Sequence, residues 1–238
     1  METLLCFDKI QMSKHKEELS IVEDYYNRTK HQFDNIEKEA DEYAKSFYNN
    51  YPMTEYIDQA DIADKALDRG LEFYETLSIM KSNHLLMTIS MLYHIWEQQL
   101  IKFTIEELEH YLKFNKNSLS YLEVQKIFES HGIIISNTKS WGKIKELKLL
   151  VGTIKHGDGY SADNLRKIRP DFFENDIFKG VDTLEFHKAV LLHPYSLQVE
   201  ESNLSDYVEA TKNFWDEMPE KAYSDINSIN NKLDELKK

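Results

Sequence analysis

The sequence predicts an all-α protein, an up-and-down helical bundle with a long N-terminal helix. Three observations predict it. Seven glycines and four prolines are few for 238 residues, and the remainder is rich in Leu, Ile, Glu and Lys with 29 aromatics, a composition of packed helices and not of disorder. Apolar residues recur at spacings of three, four and seven through most of the chain. Residues 132–135 are the best strand candidate, but a single run of three β-branched residues makes no sheet and reads instead as packed extended chain. The whole chain, 1–238, reads as one helical domain: a helix or arm over 13–51, a bundle core over 54–219 and a polar tail over 220–238.

Residues 1–12 read as a short lead-in. From 13 to 51 there is no Gly or Pro, and Leu19, Val22, Tyr26, Phe33, Ile36, Ala40, Tyr43 and Phe47 recur at helical spacing, which predicts one long amphipathic helix. Its other faces carry charges of mixed sign, a solvated surface or, on the sharper reading, a dimer seam. Residues 50–52 break this helix, and Thr54 or Asp58 can cap the next, whose face is Ala60, Ala63, Ala66, Leu67, Leu71, Tyr74 and Leu77. Gly70 sits inside that run at a modest cost in helix stability. A join is expected near 81–83. The segment that follows is apolar on more than one side, with Leu85, Ile89, Leu92, Trp96 and Phe103; such a helix is central, so His94 and Glu97 are expected to be buried polar groups needing partners.

Ser120 followed by Glu123 is a capping box, and His131-Gly132 ends that helix. Ser140 can cap a helix with Trp141, Ile144, Leu147, Val151 and Ile154 on one face, and Gly157 is placed to terminate it in the left-handed conformation. Ser161 can cap a short helix that Pro170 closes. Beyond it, 171–178 reads as loop with aromatic anchors, 184–192 as a short helix or strand and 196–200 as extended. Ser202 or Ser205 can start a helix through Trp215, closed at Met218-Pro219, and 220–238 reads as a weakly amphipathic terminal helix.

Several chemistries lack their residues. The single Cys6 cannot form an internal disulfide, which fits a reducing cytoplasm. The first ten residues carry acids at 2 and 8 and no sustained apolar run, so no signal peptide is expected. The most apolar segment, 85–96, is too short to span a bilayer. Glu107 and His110 make one Glu-x-x-His, half of a di-metal bundle motif, with no second copy. No phosphate-binding glycine loop, His-Glu-x-x-His or nucleophile elbow occurs. No metal and no cofactor is therefore expected.

What remains is a cationic cluster. Between 139 and 169 there are eight Lys/Arg against three Asp/Glu, in a chain whose net charge is −13. The turn would hold His156, Asp158, Arg166 and Arg169 close together. A histidine there could act as acid or base on an RNA 2′-hydroxyl, with Lys148, Lys155, Asp158, Arg166 and Arg169 forming a phosphate- or partner-binding surface. The alternative is that His156 ends a helix and the cations pair with the protein's own carboxylates.

Residues 146–170, ELKLLVGTIKHGDGYSADNLRKIRP, and 92–100, LYHIWEQQL, resemble segments of uncharacterised bacterial helical proteins, and the arrangement is similar to the HEPN superfamily of α-helical bundles found among toxins, CRISPR-associated nucleases and phage-defence proteins. The resemblance implies a bundle, frequently a homodimer, and in active members a metal-independent endoribonuclease whose His follows an Arg by four to six intervening residues. His156 would match the His. Positions 149–151 are Leu, Leu and Val, and the first cation upstream of that window, Lys148, stands ~80° around the helix. Two functions are thus carried forward: a HEPN-like ribonuclease acting on RNA through His156, and a non-enzymatic interaction or regulatory protein whose basic joint meets an acidic protein surface.

Overall fold

The computed structural model describes residues 2–52, 58–111, 119–174, 179–188 and 192–235. Its architecture is an all-α bundle with one two-stranded sheet. Strand β1 (Glu2–Cys6) leads into α1 (Lys9–Thr29), capped by Asp8, whose carboxylate accepts from the Ile10 and Gln11 N–H groups. A 3-10 turn over Lys30–Phe33 separates α1 from α2 (Ile36–Asn50). The expected single helix over 13–51 is therefore two helices. The turn lets Phe33 bury beside the His84 ring, 5.5 Å between centroids, while α2 folds onto the helix that follows.

That helix, α3 (Gln59–Leu108), is the spine. It starts at Asp58, one of the two expected caps; Thr54 lies outside the described residues. It runs 50 residues without the expected join at 81–83, a length of ~75 Å. Its C-terminal half is the centre of the core: Leu86, Ile89, Leu92, Trp96, Leu100 and Phe103 are all essentially inaccessible. Each fully buried side chain of this kind contributes roughly 1.5–3 kcal/mol. Around it pack α1, α4 (Tyr121–Ser130), α5 (Trp141–His156) and α8 (Glu201–Asp216).

The N-terminal half of α3 behaves differently. Ile62, Ala66, Gly70 and Leu77 face α2, and α3 is the element that α2 packs against. The two form an antiparallel hairpin, or arm, outside the main core cluster. A Cβ built on Gly70 would lie 2.9 Å from the Ala44 Cβ and 3.4 Å from the Ala40 carbonyl oxygen. Small residues set this close approach.

The capping box of α4 is present in both directions, Ser120 with Glu123, and Gly132 follows with φ 80°. Residues 133–134 are extended before a 3-10 turn at Ile135–Asn137. After α5 come α6 (Tyr160–Ile168), a 3-10 turn at Pro170–Phe173 and the short α7 (Thr183–His187). Residues 175–178 and 189–191 fall outside the described set, so the loop expected over 171–178 and the element expected over 184–192 are covered in part. The tail holds strand β2 (Lys221–Asp225), then α9 (Ile226–Glu235). β2 pairs antiparallel with β1, Glu2 opposite Asp225 and Cys6 opposite Lys221. Neither the lead-in nor the tail was expected to contain a strand. Leu5 and Ala222 are the paired residues that seat this ribbon on the core.

Candidate functional site

Helix α5 presents the cationic segment. Its apolar face, Ile144, Leu147, Leu150 and Val151, is buried against α3 and α8. Ser140 makes no side-chain cap; instead the Glu217 carboxylate accepts from the Lys139 and Ser140 N–H groups at 2.5 and 2.9 Å. At the other end Gly157 adopts the expected positive φ, 69°, but with ψ −147° it lies outside the left-handed helical well, a backbone that costs a glycine little. The chain then turns through Asp158 and Gly159 into α6.

Both arginines of this joint are committed to the protein's own carboxylates. Arg166 donates from Nη1 to Asp158 Oδ1 at 2.7 Å and to Asp163 Oδ1 at 3.1 Å, and from Nε to Asp182 Oδ2 at 2.6 Å. Its guanidinium carbon lies 4.8 Å from the centroid of the Phe173 ring. Asp182 also caps α7 by accepting from the Glu185 N–H at 2.8 Å. Burial works to raise the Asp182 pKa, but the Arg166 and backbone hydrogen bonds outweigh it and hold the carboxyl below its ordinary value. Arg166 in turn is held fully cationic, chiefly by the Asp182 hydrogen bond.

Arg169 forms the second clamp. It donates from Nη2 to Asp171 Oδ2 at 2.6 Å and from Nη1 to Glu146 Oε1 at 2.5 Å, and stacks 3.7 Å from the Phe172 ring centroid. The Arg169 hydrogen bond lowers the Asp171 pKa. Glu146 lies outside the apolar set Trp141, Ile144, Leu147, Val151 and Ile154 that periodicity marks on α5. Here it is buried, 8% exposed, and also accepts from the Tyr207 hydroxyl at 2.8 Å and from Lys143 Nζ at 3.3 Å. The signal available in the sequence was the excess of cations around one glutamate, Lys143, Lys145 and Lys148.

The other expected site residues disperse. Lys148 reaches back toward α3 and α4, its ammonium 4.6 Å from the Tyr121 ring centroid; burial lowers its pKa and the Glu97 charge counteracts that. Glu97 accepts from the Tyr93 hydroxyl at 3.1 Å. Lys155 and His156 are exposed side by side at the end of α5. His156 shares no hydrogen bond or ion pair with Arg166 or Arg169, whose partners are the carboxylates above. The expected burial of His94 is corrected: its side chain is 57% exposed, against 23% for Glu97. The reason is that α3 keeps one open stripe, with Met87 exposed one turn and more before His94. The buried amide of that helix is Gln99, which accepts from the Trp215 indole N–H at 3.0 Å and donates to Glu18 Oε2 at 2.8 Å.

The geometry is that of two ion-pair clamps with separate carboxylates, and an exposed histidine at the end of α5. No protein-family model, curated protein or solved structure matches the chain.

Of the Glu-x-x-His pair, Glu107 accepts the Cys6 backbone N–H at 2.8 Å, and burial raises its pKa. Among the described residues no group of three or more His, Cys, Asp or Glu is placed to hold a metal. Among the same residues no helix is long and apolar enough to cross a membrane.

Proposed function

We propose that this chain is a non-enzymatic helical protein that acts by binding a protein partner. One observation carries the reading: Arg166 and Arg169 are occupied by Asp158, Asp163, Asp182, Glu146 and Asp171. A phosphate would have to displace five carboxylates from two stacked guanidinium groups. A net charge of −13 opposes a polyanion further. The arginines act as staples: Arg166 ties α6 to the start of α7, and Arg169 ties the end of α6 to α5. The same reading puts the chain in the cytoplasm, where the lone Cys6 stays a thiol.

The second reading, a HEPN-like metal-independent endoribonuclease of a toxin or phage-defence system working as a homodimer, draws support from the adjacent exposure of His156 and Lys155. One experiment separates the two. The purified protein and its His156→Ala variant are incubated with a mixed structured RNA in EDTA. The interaction reading expects no cleavage by either. Cleavage by the parent that disappears in the variant sinks it and makes His156 the acid/base.

A further inference from the structure

We infer that the open seam of α3 from Ala60 to Ser78, with the cleft at its end, is the docking site for a cationic amphipathic helix of a protein partner, an inference that rests on the protein-binding reading above. Helix α3 carries two apolar seams. Ile62, Ala66, Gly70 and Leu77 make the first and are covered by α2. Ala60, Leu67, Leu71, Tyr74 and Ser78 make the second, rotated by about 100° from the first. Their spacing of seven, four, three and four is the a/d spacing of a helix-pairing surface. Yet Leu67 is 61% and Leu71 56% exposed.

The seam is long enough to be a groove and has an end. From Ala60 to Ser78 it extends ~27 Å, five turns of helix. Tyr74 and Ser78 then continue with Lys81 and Leu85 into a cleft of about 550 Å³ that Leu197 and Gln198 also line. The Gln198 amide nitrogen is buried without a hydrogen-bond partner. Such a donor is costly to leave unpaired.

Charge selects the occupant. The described part of the arm, 36–52 and 58–84, holds ten carboxylates and five Lys/Arg. Asp64, Asp68 and Glu75 are exposed along one flank of the seam. A second copy docking seam to seam about a two-fold axis would bring these carboxylates against their equivalents, which is repulsive. A helix with leucines on one face and lysines beside them satisfies both the seam and its flank, the helix-in-groove mode of recognition.

The test uses the full chain and a fluorescein-labelled amphipathic peptide of about 20 residues, Leu at the i, i+3, i+4, i+7 positions and Lys elsewhere. Controls are the same peptide with Glu for Lys, and the parent with Leu67→Ser and Leu71→Ser together, exposed changes that leave the core intact. Anisotropy should show the Lys peptide binding at least about tenfold more tightly than the Glu peptide, with a similar loss in the double variant. Asp64→Lys with Asp68→Lys should shift the preference toward the Glu peptide. Equal binding to parent and double variant, or no binding of the Lys peptide, overturns the site. So does light scattering that finds a parent dimer made monomeric by the double variant, which assigns the seam to a second copy. RNA cleavage lost in His156→Ala would defeat the underlying reading by a separate measurement; peptide failure without cleavage defeats this site alone.

Discussion

Replacing Arg169 by Ala should cost about 3 kcal/mol of stability. The Glu146 carboxylate is nearly buried and receives Arg169, the Tyr207 hydroxyl and Lys143. Removing one partner of a fully buried pair costs about 3–5 kcal/mol, because the surviving charge is stranded. Here the Arg169 side chain is one-fifth exposed and Lys143 remains, which lowers that figure to roughly 2–3 kcal/mol. Loss of the stack on Phe172 adds back about 0.5–1 kcal/mol. For a chain of this length the sum corresponds to a Tm lower by about 6–12 °C. Thermal and urea unfolding followed by far-UV circular dichroism measure it. In the Arg169→Ala background, Glu146→Gln should recover about 1–2 kcal/mol by removing the stranded charge. A change within about 0.5 kcal/mol of the parent would refute the staple and leave Arg169 free to serve as a ligand-binding group.

Two further outcomes follow from the same structure. Gly70→Ala gains about 1 kcal/mol of helix propensity but forces its new carbon against Ala44 and the Ala40 carbonyl; overpacking of about 1–3 kcal/mol should win. Hydrogen exchange should then show α2 losing protection while α5 keeps it, with Ala44→Gly restoring the arm; an unchanged arm would mean that the close approach is not obligatory. His131 is buried, with Nδ1 2.8 Å from the Ile127 carbonyl oxygen and Nε2 3.1 Å from Thr3 Oγ1, and burial lowers its pKa, as it does for His15, His84 and His193. The unfolded chain, titrating near ~6.5, therefore binds more protons than the folded one below that pH. Stability is complete above ~6.5 and falls as the pH drops through that value, by at most about 1.4 kcal/mol per pH unit for each group. Urea midpoints between pH 7.5 and 5.5, about the range over which histidine titrates, should show the decline, and His131→Asn should flatten it. A midpoint independent of pH would refute the assignment.

The sequence was most legible where one local signal sufficed. Ser120 with Glu123 marks the start of α4, and Gly132 and Gly157 mark helix ends, because capping and positive-φ backbone depend on near neighbours alone. It was least legible where the deciding partner is distant. The break after Thr29 has no Gly or Pro to announce it; it is set by α2 folding back on α3. The cap of α5 is Glu217, 77 residues away from Ser140 along the chain. Strands β1 and β2 are five residues each and pair with one another across the whole chain, so neither has a periodicity long enough to stand out. At the site, the Asp158–Arg166 contact was legible from the tight turn between them. Glu146 was not, since only Arg169 and Tyr207 arriving from other elements make burial of a carboxylate tolerable there.

The β1–β2 ribbon joins residue 2 to residue 225. On the ribosome, β1 emerges ahead of its partner and then waits for a segment that is more than 200 residues behind it. At about 5–20 residues per second that interval is on the order of 10–45 s. Throughout it β1 is an exposed strand edge beside an otherwise helical, quickly forming body, the kind of edge to which other nascent chains can pair. Closure of this ribbon is thus a long-range event timed by translation. Slowing elongation between the codons for β1 and those for β2 should lengthen the window in which this chain needs a chaperone.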